Sequence, residues 1–322
     1  MKYSIIVTEH NCEDYLIKCL NSVANQTYRD FEVIVVDDAS ENCKDYLMKQ
    51  YHQLSLRYIY SEESKGCGGA RNIGMQYATG DYVCFLDSDD WWDLHYLEVA
   101  DSVLMKTKAD IGMVGLLREY DVNMPKPVFK CKYDREYILS GETAFKIMTY
   151  QYEMGIKIIP AATNKLYKRT FLQKNGICFL DNIAFEDLPY NFRAIRIANK
   201  VVAIPNAFYH HYRRMGSIVQ SFQEKNIDDI VVGFTQIRND MIKDGVYEQN
   251  RNNYYAFFEH FYNLIVRQIF EFVPNEKNKK ELLRLSLHKM KDILIPDEFM
   301  EYMSAEELRR HIQPSITDTT IY

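Results

Sequence analysis

The segment YVCFLDSDDWWD, residues 82 to 93, runs an apolar strand pattern straight into Asp87, Ser88, Asp89 and Asp90. Carboxylates crowded together repel, so such a run needs a cation or a set of hydrogen-bond donors to hold it. In an extended segment residues i and i+2 point to the same side. Asp87 and Asp89 can then address one hard divalent ion together with water and phosphate oxygens. An Asp-rich turn is the plain alternative, and the continuous apolar strand before the run favours the metal reading. Asp90, Trp91 and Trp92 read as the cap and apolar start of the next element.

Two further clusters have similar character. In VVDDAS, Asp37 and Asp38 end another apolar run; capping of a following helix by Asp38 or Ser40 would explain one carboxylate but not two. In KGCGGARNIG, residues 65 to 74, glycines such as Gly68 let the backbone approach a ligand, and Arg71 can grip a phosphate with two donors. The segment fits neither the Walker pattern nor GxGxxG, and a loop with a surface arginine is its simpler reading.

Short apolar runs at 3–7, 31–36, 57–60 and 81–86 alternate with helical patterns, such as Tyr15, Cys19, Leu20 and Val23 at offsets of three and four. That alternation predicts an α/β fold with a mostly parallel sheet covered on both faces, where ligands bind beyond the carboxyl ends of the strands. The first strand ends at Thr8, Glu9, His10 and Asn11, the second at Asp37 and Asp38, the fourth at Asp87 to Asp89, so polar residues collect at one rim. A further strand is expected at 111–117 and a helix near 141–150. Beyond Ser221 the pattern is helical: Ile227, Ile230, Val231, Phe234, Ile237 and Met241 share one face, and two more helices are expected at about 250–272 and 276–292.

Together the rim clusters imply a nucleoside diphosphate held by its base, its phosphates and a metal. The N-terminal half resembles the family 2 glycosyltransferases with the GT-A fold: IIVTEHN is similar to the family's opening strand, VVDDAS to its uracil-binding segment, GGARNIG to its diphosphate-proximal segment and ATGDYVCFLDSDDWW to its DxD strand. The four motifs come in the family's order over about ninety residues. The resemblance implies Asp38 on the uracil ring, Arg71 near the diphosphate, Asp87 at the sugar or ribose, and Asp89 on Mn2+ or Mg2+, with Ser88, also counted among the donor-binding residues, spacing the two carboxylates onto one side. Thr8 and His10 stand where the family commonly has Pro and Tyr; His10 can still stack on a base. The family also uses a carboxylate base about a hundred residues past the DxD, which points to Glu186-Asp187 in FEDLPY, with Asp187 as the base. An acidic first helical turn is the alternative. In YHHYRRMGSI, residues 209 to 218, the resemblance implies closure over metal and diphosphate by His211, Arg213, Arg214 and Ser217, with His211 preferred to His210.

The implied activity is inverting transfer of a sugar from a UDP-sugar to a hydroxyl of a glycan or lipid-linked acceptor. The expected division is a catalytic GT-A domain at 1–221 and a helical region at 222–322 that binds acceptor, oligomerises or touches a membrane. A non-catalytic nucleotide-sugar-binding protein and a sugar nucleotidyltransferase are the rivals, and the second lacks its usual Gly-rich loop after the first strand.

Bulk properties narrow the field. The 322-residue chain has 47% hydrophobic and 14% aromatic residues, so it can build a large core. A net charge of -6 argues against a nucleic-acid-gripping surface. Seven cysteines without a CxxC pair read as reduced thiols. The opening MKYSIIVTEHN lacks a signal-peptide core, and no run reaches the roughly 18 apolar residues of a span. The expectation is a cytoplasmic enzyme. The segment EKNKKELLRLSLHKMK is either a solvated helix face or a weak contact with the inner face of the plasma membrane.

Overall fold

A computed structural model describes residues 2–41, 49–120, 130–150, 153–213, 222–291, 293–295 and 297–302. The apolar runs become β1 (Tyr3–Glu9), β2 (Phe31–Asp38), β3 (Leu56–Ser61) and β4 (Tyr82–Asp87), with α1 (Glu13–Ala24) after β1 and α2 (Gly66–Tyr77) after β3. β1, β2 and β4 are almost wholly buried, which is why they read as continuous apolar stretches. The order β3-β2-β1-β4 is parallel throughout. From β1 to β2 the chain steps outward, and from β3 to β4 it crosses back. With right-handed crossovers these opposite steps put α1 and α2 on opposite faces of the sheet.

Next come β5 (Trp91–Trp92), α3 (Tyr96–Thr107), β6 (Ile111–Tyr120), β7 (Lys130–Cys131), β8 (Tyr137–Ser140) and α4 (Gly141–Met148). Then the chain forms β9 (Lys165–Lys168), α5 (Arg169–Lys174), α6 (Asp187–Ile197) and β10 (Lys200–Arg213). β9 lies between β4 and β6 and is antiparallel to both, so the sheet of order β3-β2-β1-β4-β9-β6-β10-β5 is mixed. β10 runs parallel to β6, with a register shift between Ile204 and Phe208, and antiparallel to β5. Trp91 and Trp92 are therefore an edge strand on β10, and the next helix starts only at Tyr96.

Glycines in α2 serve packing. A Cβ on Gly74 would stand 2.4 Å from Ile6 Cγ2, and one on Gly68 would stand 2.4 Å from Leu180 O and 3.1 Å from Glu186 Cγ. The helix thereby sits hard against β1 on one side and the approach to α6 on the other, which sets the depth of Arg71.

The C-terminal region holds α7 (Glu224–Lys243), α8 (Tyr247–Phe272) and α9 (Glu276–Met290). Phe234 of α7 meets Tyr254, Phe257, Phe258 and Phe261 of α8, so the aromatic run of α8 is core. Phe257 also packs on Phe192 of α6, which ties the helices to the α/β body. Among the described residues no helix is long and apolar enough to cross a membrane.

Candidate active site

At the carboxyl rim, backbone and side-chain bonds first organise the turns. Glu9 is buried and its Oε1 accepts the Cys12 N–H at 2.6 Å, while the N–H of Asn11, at φ 51°, donates to Ser40 Oγ at 3.0 Å. His10 is exposed, and its Nδ1 lies 2.7 Å from Asp38 O. Asp37 accepts the Ser40 N–H at 2.8 Å and the Tyr58 hydroxyl. The Asp38 carboxylate is buried and accepts from Ser64 Oγ at 2.7 Å, Lys65 N–H at 2.7 Å and Gly66 N–H at 2.9 Å. Both carboxylates of VVDD thus hold turns, Asp37 its own and Asp38 the entry to α2.

The Asp87–Asp90 turn meets β10. Ser88 N–H donates to Thr8 O at 3.2 Å, and Thr8 Oγ1 donates to Asp87 Oδ1 at 3.2 Å. Asp90 is not a helix cap: it is buried, accepts the Tyr209 hydroxyl and takes the Tyr212 N–H at 2.7 Å. Tyr209 Oη in turn accepts the Asp87 N–H at 3.3 Å. Burial, with Asp89 and Asp87 alongside, raises the Asp90 pKa well above the usual carboxylate range. Asp87 and Asp89 remain half-buried.

Strand alternation sorts the two histidines. His210 stacks on Trp91 at 5.3 Å and contacts Asp93 at 2.8 Å and Glu119 at 3.2 Å. His211 lies on the other face with Tyr209, paired in register with Arg118. Burial, then Arg213 and Arg118, lower its pKa well below that of an ordinary histidine, so the imidazole is neutral. Burial lowers the pKa of Arg213 to about 10, which leaves it charged at neutral pH. Arg118 joins this face without having been singled out from sequence; it sits one residue past the expected strand end, where nothing in its neighbours marks it. Arg214 and Ser217 lie outside the described residues.

The centre of the site is Arg71, which is 2% exposed. Its Nη1 donates to Glu186 Oε1 at 2.7 Å and Asp187 Oδ1 at 2.9 Å, and its Nη2 to Asp87 Oδ1 at 2.9 Å. Phe179 and Phe85 lie 5.2 and 5.8 Å from the guanidinium. One buried cation therefore joins the end of β4 to Glu186 and Asp187 at the start of α6, 115 and 116 positions away from it in the chain. Burial and then Asp187 push Glu186 up to about 7 against the pull of Arg71. Burial also raises Asp187; Arg71, the Ala162 N–H and Lys165 oppose it, and Asp87 adds to it. Asp187 keeps 24% of its side chain exposed against 12% for Glu186, so it is the more accessible acceptor for a proton.

The residues suit a divalent ion in their chemistry: Asp89 is half-buried beside other carboxylates and the buried His211 imidazole is neutral, donor types that Mn2+ or Mg2+ accepts alongside phosphate oxygens and water. Among the described residues no three His, Cys, Asp or Glu side chains are arranged to hold a metal by themselves.

A mixed, mostly parallel sheet with an acidic turn at its rim, faced by an arginine-held carboxylate pair at a helix start, has the layout of the GT-A fold. The chain belongs to glycosyl transferase family 2, whose sequence model matches residues 4–176. It is similar to the glycosyltransferase GlyA of Streptococcus pneumoniae, with 30% identity over 227 residues that cover 70% of this chain and 32% of GlyA. It is also similar to the putative glycosyltransferase EpsH of Bacillus subtilis, with 29% identity over 239 residues, 69% of this chain and 64% of EpsH. The chain thus spans about a third of GlyA and just under two thirds of EpsH. The crystal structure of S. aureus TarS 1–349 in complex with UDP-GlcNAc has the same fold, with a TM-score of 0.63 at 21% identity, covering 99% of this chain and 95% of that one.

Proposed function

We propose that this protein moves a sugar from a UDP-sugar to a hydroxyl of a glycan or lipid-linked acceptor with inversion at the anomeric carbon. The observation that carries this reading is the bracket of Arg71 on Asp87, Glu186 and Asp187. It sets a carboxylate of raised pKa across from the donor rim, where it can accept the proton of an attacking hydroxyl.

In this reading Asp187 is the base, and Glu186, more buried and more readily protonated, keeps its partner's charge tolerable. Arg71 braces the three carboxylates with Nη1 and Nη2 and fixes the distance between donor turn and base. Contact with the diphosphate then falls chiefly to Arg213 and Arg118, with Arg214 and Ser217 completing it. Asp38, His10 and the β1 rim receive the uracil, and Asp87 with Ser88 the ribose or sugar. Asp89 and His211 would hold Mn2+ or Mg2+, which when bound neutralises charge growing on the departing diphosphate. Lipid-linked acceptors suit α9, whose exposed residues include Lys277, Lys280, Arg284 and Leu287, a cationic face for anionic headgroups.

Calorimetric titration with UDP tests the donor half. UDP should bind more tightly with Mn2+ present, and Asp89→Ala should abolish that gain while leaving metal-free binding within about twofold. Equal affinity with and without Mn2+ in the wild type would remove the metal from the reading.

A further inference from the structure

Beneath the carboxylate pair lies a cation that the reaction above does not use. Lys165 opens β9, and its side chain is fully buried. Its ammonium donates to Ile159 O at 2.5 Å, Ala161 O at 2.5 Å and Asn164 Oδ1 at 3.0 Å. An ammonium has three donors, so each is engaged. All three acceptors are neutral, which is a costly way to bury a charge and an unneeded one if the position only had to be filled.

The acceptors belong to the irregular segment 156–164, and that segment is tied to the start of the helix that carries the base. The Ala162 backbone is one of the groups that favour the ionised Asp187 carboxylate. Asn191 Nδ2, one turn along α6, donates to Pro160 O at 2.9 Å and Asp187 O at 3.0 Å, and the Tyr167 hydroxyl of β9 donates to Asn191 Oδ1 at 2.7 Å. Asn164 is anchored in turn by Nδ2 to Val114 O at 3.0 Å. Lys165 therefore pins the carbonyls on either side of Pro160, whose own carbonyl Asn191 ties to the main chain of Asp187.

We infer that Lys165 is a positioning residue for the transfer reaction: by clamping the carbonyls on either side of Pro160 it holds, through the Asn191 bridge, the first turn of α6 that carries Asp187. The inference rests on Asp187 being the base. Burial lowers Lys165 to about 7, with Asp187 and Cys131 pulling the other way, so the clamp itself titrates near neutrality. The groups around it are Asp187 of α6 and Cys131 of β7, whose thiol is raised by burial and is near Lys157. Asp187 faces Arg71 of α2, Asp87 of β4, Glu186, Tyr167 and Tyr190. Loss of the Lys165 proton removes one donor from the clamp and one positive charge, and the lost charge makes Asp187 harder to ionise.

The test uses the full chain with Lys165→Met, Lys165→Gln and Asp187→Asn. Amide exchange is measured over residues 157–166, together with the pH profile of hydrolysis of whichever UDP-sugar the wild type turns over. In Lys165→Met the amides of residues 157–166 should exchange about tenfold faster, and the acid limb of kcat should move up by about one pH unit. Affinity for UDP should stay within about twofold, because the donor rim is separate from the clamp. Lys165→Gln keeps two N–H donors without the charge; it should show the shifted limb with near-native exchange, and it carries the pH readout if the Met variant does not fold. A limb that stays at the wild-type position in both variants, or unchanged exchange in Lys165→Met, overturns the inference. Undiminished hydrolysis in Asp187→Asn would instead remove the base assignment, and the exchange data would still decide whether Lys165 holds the segment.

Discussion

Replacing Glu186 by Gln should stabilise the protein above neutral pH. In the fold the carboxyl of Glu186 is pushed from 4.5 up to about 7, and each pH unit of such a difference corresponds to about 1.4 kcal/mol. A carboxyl whose folded value lies above its unfolded one favours folding while protonated. That contribution is complete below about pH 4.5 and is lost as pH rises through about 7. Its full size is on the order of 3 kcal/mol. Gln copies the protonated side chain, keeps an oxygen for Arg71 Nη1, which now lies 2.7 Å from Glu186 Oε1, and has no proton to lose. Urea unfolding at intervals from pH 5 to 8.5 measures the difference. Glu186→Gln should match the wild type near pH 5 and exceed it by about 2–3 kcal/mol at pH 8.5. A variant less stable than the wild type by the same amount at every pH would rule this out, because Glu186 would then act only as a charged partner for Arg71.

Tyr209→Phe removes the hydroxyl that links Asp90 to the Asp87 N–H. It should cost about 1–3 kcal/mol in thermal or urea unfolding and weaken UDP binding in Mn2+ by loosening the turn that carries Asp89. Gly74→Ala puts a Cβ 2.4 Å from Ile6 Cγ2 and should lower stability by about 1–3 kcal/mol through overpacking, readable as a shifted urea midpoint with an unchanged slope.

Much of the donor half is legible in the chain. The runs that become β1, β2 and β4 are buried on both faces, so each has an apolar middle, and polar residues gather where they end at the rim. FEDLPY is likewise readable as the start of a helix, which begins at Asp187. The features that escape a sequence reading are set by contacts distant in the chain. β9 is only four residues long, with two lysines, and nothing local marks it as the antiparallel piece joining β4 to β6. β10 hides its length because Pro205 and a register shift divide its apolar pattern. Arg71 has the look of a phosphate ligand on a Gly-rich loop; its carboxylate partners lie 115 and 116 residues away, and the glycines around it prove to seat a helix. Lys165 stands in an unremarkable polar stretch because its acceptors are mostly backbone carbonyls, which every sequence has.

If Asp187, bracketed by Arg71 beside the donor rim, takes the proton of the attacking hydroxyl, its carboxylate is indispensable to turnover. The direct measurement is hydrolysis of a panel of labelled UDP-sugars by the wild type and Asp187→Asn, both first shown to bind UDP alike. Slow hydrolysis of at least one donor is expected from the wild type, with a loss of about a hundredfold or more in the variant. Equal turnover by the two proteins would contradict the assignment of Asp187 as the base.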